Sequence, residues 1–313
     1  MSFILGNIKC KKGEKINTYW NIEEYKIPVT VISGKEDGAA VVISSGIHAC
    51  EYVGIQTAVE LAAELKPEDI KGTVIIFHPV NYTGFFKRIP YLMPEDSKNL
   101  NRVFPGKEDG TISEKIAYNF TKYLYPQTDY FIDLHGADLQ EDIVPLIYFP
   151  TKAEESVVEK AKRLAESMDV PYRVKSTSTA SPFTSAATQG IVSLLVERGG
   201  RGLWSTEEVT LYKKDIYSAL KHIGTIAGKK ENSENFQIEI NEAVYLESKH
   251  NGFWYPVFKA GEKFNKGEIL GEIKDCFGNI LESYRAEYDG VVLYQTISLA
   301  IALDDPLIAY GKI

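Results

Sequence analysis

Residues 39–51 read AAVVISSGIHACE: an apolar run that stops at two serines and a glycine, then delivers His48 and Glu51. The run over 39–45 predicts a buried strand, and apolar residues at helical spacing from Tyr52 to Leu65 predict a helix directly behind it. The pattern recurs along the chain. GTVIIFHPVN at 72–81, DYFIDLHG at 129–136, VPLIYFP at 144–150 and IVSLLVE at 191–197 read as further strands. Helical patterns fall near 113–124, over 151–168 and near 205–227, the second with Thr151 as N-cap and Glu154 three residues on. Strands alternating with helices predict an α/β catalytic domain over 1–228, with a mixed, mostly parallel sheet flanked by helices.

After the polar linker GKKENSENF at 228–236 the texture changes. Residues 237–313 show short β runs broken by Gly, Asn and Asp, among them KAGEKFNKGEILGEIKD at 259–275 and YDGVVLYQ at 288–295. A separate small all-β domain is expected there.

The 313 residues are 44% hydrophobic, 25% charged and 12% aromatic, globular proportions that exclude a disordered chain, a collagen-like repeat or a coiled coil. Lys plus Arg number 35 against 43 Asp plus Glu, a net charge of −8, the wrong sign for tracking phosphates. No nucleic-acid partner is expected. Cys10, Cys50 and Cys276 are scattered and odd in number, neither a disulfide framework nor a thiolate metal site. In the first residues the basic side chains follow the apolar run, the reverse of a secretory signal, and no stretch reaches membrane-spanning length. A cytoplasmic protein with no membrane partner is the expectation.

Strands of such a sheet aim their carboxyl ends at the ligand crevice. The first run ends at His48 and Glu51, another at His135 and another at Glu197. His48, Glu51 and His135 make a two-histidine, one-carboxylate set that leaves a tetrahedral position open for water. Glu197 then remains as a carboxylate free to move a proton. An HxxE spacing alone arises often by chance; its coincidence with two strand ends gives it weight. His78, inside a strand, reads as a core or crevice residue, and His222 and His250 as surface residues without an acidic partner pattern. Cys50 reads as packing filler. In the loop before Phe104–Pro105–Gly106, Asn101 and Arg102 offer an amide and a planar guanidinium for a substrate carboxylate. Lys87 and Arg88 add positive charge that could polarise a carbonyl or hold an oxyanion.

In this order, His48-x-x-Glu51, Asn99–Leu100–Asn101–Arg102 with Phe-Pro-Gly, Asp133–Leu134–His135, and Glu197 followed by Gly199–Gly200 resemble the zinc carboxypeptidase clan. Within it the likeness is to the succinylglutamate desuccinylase/aspartoacylase branch, and it covers roughly residues 38–228. Asn99 stands where many members carry Asp. The resemblance implies one Zn2+ on His48, Glu51 and His135, and Glu197 as general base and acid. It also implies Asn101 and Arg102 on the substrate carboxylate and Arg88 as the carbonyl-polarising arginine. The C-terminal part is similar to this branch's β domain, of biotinyl/lipoyl-like fold. Its Gly278–Asn279 turn has no modifiable lysine at the tip, so a cap or subunit contact, and with it a possible homo-oligomer, is expected rather than a carrier.

Three functions compete on this reading. The first is a zinc-dependent deacylase acting on a small, carboxylate-bearing N-acylated amino acid or amine. The second is a metallocarboxypeptidase trimming peptide C-termini with the same groups, and the third a metal-binding module without turnover. The intact ligand set with Glu197 disfavours the third. A capping β domain favours small substrates over peptides.

Overall fold

The computed structural model describes residues 3–228 and 236–313. Its centre is a nine-stranded mixed sheet. Four adjacent strands, Lys71–Pro79, Glu36–Ser45, Tyr130–His135 and Val192–Glu197, run parallel. Leu146–Pro150 pairs antiparallel with Val192–Glu197, and Tyr172–Ser176 continues that flank in parallel with Leu146–Pro150. On the other flank Tyr25–Ser33 and Lys15–Ile22 add antiparallel strands that the sequence pattern did not announce.

Side chains alternate across a strand, and here the alternation divides the core in two. Val41, Ile43, Ile132 and Leu134 face one cluster, beneath helices Tyr52–Glu64 and Thr206–Ile223. Val42 and Phe131 face the other, with Trp20, Phe77, Phe120 and Phe183. Helix Ile112–Asn119 starts at a Thr111/Glu114 capping box and runs on into a wider turn at Phe120–Leu124.

One helix boundary differs from expectation. The stretch read as 151–168 is helical only from Glu155 to Ala165, and Glu154 occupies the N-cap position with no side-chain cap bond. Thr151 is no cap: its hydroxyl donates to the Ser176 carbonyl at 2.8 Å, joining two strand ends. The linker reading at 228–236 falls almost wholly outside the described residues.

From residue 243 onward the chain forms two antiparallel layers. One contains Ala243–Glu247, Pro306–Lys312, Gly290–Thr296 and Lys263–Phe264; the other contains Ile280–Arg285, Ile269–Lys274, Gly252–Pro256 and Ala300–Ile301. Trp254, Leu270, Ile273, Val292 and Tyr310 fill the space between them. The two parts of the chain also trade strands. Ile238–Ile240, within the segment read as the β domain, adds in parallel to Tyr172–Val174 at the edge of the large sheet. In return Glu141–Ile143 pairs antiparallel with Tyr294–Thr296. A shared apolar cluster of Leu146, Val174, Ile240, Val291, Leu293 and Ala309 seals the exchange.

Candidate active site

Strand Glu36–Ser45 turns away from the sheet at Gly46, whose φ of +64° belongs to the left-handed region; a Cβ there would lie 2.6 Å from Pro79 Cα. The turn swings His48 and Glu51 over the strand ends, and the Ala49 amide anchors it by donating to the Pro90 carbonyl at 2.6 Å. Glu51 stands at the N-cap of helix Tyr52–Glu64 but makes no cap bond with its side chain. Its carboxylate turns to the histidines instead. Gly54 lets that helix press on the neighbouring strand end, where a Cβ would come within 3.1 Å of the Leu134 carbonyl oxygen.

His48 Nδ1 lies 2.7 Å from Glu51 Oε1, and His135 Nδ1 lies 3.0 Å from Glu51 Oε2. The two imidazoles meet edge to face with centroids 5.0 Å apart. Each ring has a second partner behind it: His48 Nε2 is 3.1 Å from Asn99 Oδ1, and His135 Nε2 is 3.2 Å from Asp133 Oδ2. Asp133 and His135 are two apart on one strand, so they share a face by necessity.

His48, Glu51 and His135 each offer one ligand atom, all within 4.8 Å of one another, and so could hold one metal ion. The orphaned atoms agree with that use. Glu51 Oε2, His135 Nε2 and both Asp133 oxygens are buried without a properly aligned hydrogen bond, although the groups crowd together. Two nitrogens and one carboxylate oxygen, backed by an oxygen acceptor behind each ring, fit a single cation. Electrostatics point the same way. Burial opposes a charge on His135, yet Glu51 and Asp133 outweigh it and hold the ring well above the ordinary histidine range. Burial also opposes the Glu51 carboxylate, but His135 and His48 pull it down to about 2. Two carboxylates draw positive charge to this point.

Glu197 is the register partner of His135 on the adjacent parallel strand. Its Oε2 is buried without a partner, and burial, against the pull of His135 and reinforced by Glu51 and Glu141, holds its carboxyl well above the usual range. The neighbouring Arg198 turns the other way: its Nη2 donates to Asp215 Oδ2 at 2.7 Å and its Nε donates to the same oxygen at 3.2 Å. Helix Thr206–Ile223, which carries Asp215, also supplies Tyr212. The Tyr212 hydroxyl donates to the Val196 carbonyl at 2.5 Å and accepts the His135 N–H at 3.1 Å. One phenol thus pins the ends of both site strands.

Asn99 begins a short turn, Leu100–Arg102, accepting the Asn101 N–H at 2.8 Å on the oxygen that also faces His48. Asn101 is 7% exposed, with its Oδ1 buried and unpartnered. Arg102 is exposed; its Nη1 donates to the Asn101 carbonyl at 3.0 Å, and its charge reaches Tyr294 of the β layers. Arg88 lies at the left-handed C-cap of the short helix Tyr82–Lys87, φ 56°, with its side chain exposed. Among the described residues no hydrogen bond or ion pair joins Arg88 to the cluster.

Cys50, read as filler, is buried and donates its thiol to Asp138 Oδ1 at 3.1 Å; burial and the charges of Glu51 and Asp138 keep it protonated. His250 has an acidic neighbour after all, Glu282 at 3.9 Å. His78 contacts Thr30 Oγ1 at 2.9 Å and lines a cavity of about 670 Å³ together with Lys15, Asn17 and Tyr19, none of them a site residue. The sequence reading quoted Asn99 and Asp133 within motifs but gave them no role, and it did not single out Tyr212 or Glu141. Asp133 alone carried a local signal, an acidic residue two positions before a strand-end histidine.

The aligned ends of the mixed sheet thus carry a His–Glu–His group that could hold a metal ion, beside a glutamate with a buried oxygen left unpartnered. Residues 37–223 match the model of the succinylglutamate desuccinylase/aspartoacylase catalytic domain, and the chain belongs to that family. It is 28% identical over 295 residues to an N-alpha-acetyl-L-2,4-diaminobutyric acid deacetylase of Halomonas elongata, covering 92% of this chain and 86% of the relative. Among solved structures, a succinylglutamate desuccinylase/aspartoacylase from Rhodobacter sphaeroides superposes with a TM-score of 0.84 at 27% identity, covering 97% of each chain. The product-bound ectoine utilization protein EutE (DoeB) from Ruegeria pomeroyi shares the fold with a TM-score of 0.87 at 24% identity, covering 100% of this chain and 98% of the other. Among the described residues no helix is long and apolar enough to cross a membrane.

Proposed function

We propose that the protein is a zinc-dependent deacylase that hydrolyses the amide bond of a small, carboxylate-bearing Nα-acylated amino acid. One observation carries the reading: Glu197, whose Oε2 is buried without a hydrogen-bond partner, stands in register with His135 beside the group that could hold a metal. The family and the Halomonas deacetylase support amide cleavage, and the two-nitrogen, one-oxygen donor set supports zinc.

His48, Glu51 and His135 would hold the ion, with Asn99 and Asp133 fixing the two rings from behind. When bound, zinc polarises the scissile carbonyl and makes water acidic enough to attack near neutral pH. Glu197 takes the proton of the attacking water on its carboxylate. It then passes that proton to the departing nitrogen as the C–N bond breaks, leaving a free amine and the carboxylate of the acyl group. Asn101 and Arg102 orient the substrate by its carboxylate, the guanidinium through paired donors. Arg88 is assigned to the developing oxyanion, a role that requires its exposed side chain to swing toward the ligand group.

A panel of N-acetyl and N-succinyl amino acids and short peptides, incubated with zinc-loaded protein and read by mass spectrometry, tests the reading. Release of acyl group and free amino acid is the expected result. Release of C-terminal residues from peptides alone would move the function to a carboxypeptidase.

A further inference from the structure

Helix Tyr52–Glu64 covers only part of the sheet face it rests on. Ile32, Val74 and Ile76, on strands Tyr25–Ser33 and Lys71–Pro79, lie in the apolar cluster beneath it. The outer flank runs on past the helix. Lys15, Asn17 and Tyr19 stand at every second position of the edge strand and so share one face. Register sets Lys15 opposite Ile32, and Asn17 opposite Thr30, which opposes Ile76 in turn. His78 lies two residues beyond Ile76, on the same face. The cavity of about 670 Å³ described above lies between this polar row and the helix, where Val59, Ala62 and Ala63 line it.

The row is a directed chain of hydrogen bonds. Thr30, 1% exposed, donates its hydroxyl to Asn17 Oδ1 at 2.9 Å. With that proton committed, Thr30 Oγ1 accepts from His78 Nε2 at 2.9 Å, and the neutral ring keeps a bare Nδ1, buried without a partner. Burial, which lowers the pKa of this ring to about 4, holds it uncharged. The chain ends at the exposed Asn17, whose amide nitrogen makes no hydrogen bond among the described residues. Lys15 reaches the same space. Its Nζ donates to the Leu65 carbonyl at 2.8 Å and the Ala63 carbonyl at 3.3 Å, at the end of the helix, and keeps one N–H to give. Its ammonium is the one formal charge among the lining residues, and no carboxylate lines the cavity, in a chain of net charge −8. Valine or isoleucine at positions 30 and 78 would continue the apolar rows of the sheet with no polar group left unpaired. The fold alone gives no reason for the polar row.

We propose that this cavity is a second ligand site, separate from the His48–Glu51–His135 group, and that it takes a small carboxylate with a short aliphatic body. The carboxylate accepts from Lys15 Nζ, a charge-assisted bond, and from Asn17 Nδ2. The aliphatic body lies along Val59, Ala62 and Ala63, removed from water. The site stands on its own residues and does not depend on the deacylase reading.

The probes are hexanoate, hexanamide and hexylammonium, titrated into the intact chain by calorimetry. Hexanoate should bind with a Kd of about 1 mM or tighter, and the other two at least about tenfold more weakly. Lys15→Gln removes the ammonium, and Ala63→Phe fills the cavity from an exposed position on its wall. Each should weaken hexanoate at least about tenfold. Arg102→Ala removes the proposed carboxylate clamp of the active site and should leave this affinity within about twofold of wild type. Histidine side-chain NMR locates the ligand without relying on a variant's folding: hexanoate should shift the His78 ring signals in the wild type, and do so equally in Arg102→Ala. Shifts at His48 and His135 with none at His78 would place the carboxylate in the active site and overturn the inference. Full affinity in both Lys15→Gln and Ala63→Phe would overturn it as well, as would equal binding of the three probes. Absence of heat and of any His78 shift up to about 10 mM hexanoate would leave the cavity without this ligand.

Discussion

Glu197 and His135 face each other across two parallel strands, paired in register at the last residue of each. The proposed metal ligand and the proposed proton carrier thus sit on one backbone ladder. In Glu197→Gln the side chain keeps its size and loses its ability to accept a proton. We expect kcat to fall by at least about 100-fold, with zinc content and melting temperature close to wild type. A destabilised variant whose folded fraction retains full activity would assign the proton transfer to another group.

Metal retention should depend on both shells. His135→Ala removes a ligand and is expected to abolish stoichiometric zinc after dialysis. Asp133→Asn leaves the ligands in place but withdraws the charge behind the His135 ring, and should weaken zinc about 10- to 100-fold. Competition with a chelator, read by elemental analysis, measures both; full occupancy in His135→Ala would refute the ligand assignment.

Arg102→Ala is expected to raise KM strongly for substrates with a free carboxylate, and Arg102→Lys to recover only part, because an ammonium lacks the planar pair of donors. Substrates amidated at that carboxylate should be poor for the wild type and indifferent to the change. Equal sensitivity of both substrate types would give Arg102 a different task.

His78 offers a pH test remote from the site. Burial lowers its folded-state pKa to about 4, below the ordinary histidine value of about 6.5. Below the unfolded pKa the unfolded chain takes up a proton that the folded chain refuses. Stability is therefore full above about pH 6.5 and is lost as pH falls toward 4, by at most about 1.4 kcal/mol per pH unit. His78→Gln should flatten this part of the stability profile. Parallel curves for the two proteins between pH 6.5 and 4.5 would show that another group sets the dependence.

Much of this architecture is written locally. The strands ending at Ser45, His135 and Glu197 announce themselves as Val-, Ile- and Leu-rich runs closed by polar residues or glycine, and parallel alignment brings their ends together. The second tier is not local. Tyr212 reaches His135 from a helix far downstream, and Glu141 meets Tyr294 only through a pairing across most of the C-terminal half. Asn99 looked like a departure from the family pattern; its Oδ1 beside His48 Nε2 appears only when the turn at Leu100–Arg102 is folded. Thr151 misled for a related reason. A hydroxyl followed by glutamate at capping spacing found a strand-end carbonyl to bond instead.

The traded strands set a rule for anyone who cuts or recombines this gene. A chain ended after residue 236 would keep every proposed ligand but lose Ile238–Ile240 from the sheet edge, and Glu141–Ile143 would lose the strand it pairs with. Grafting a C-terminal half from a relative would likewise bring a foreign residue 294 opposite a native Ile143. A crossover point that preserves the fold must therefore respect both pairings at once.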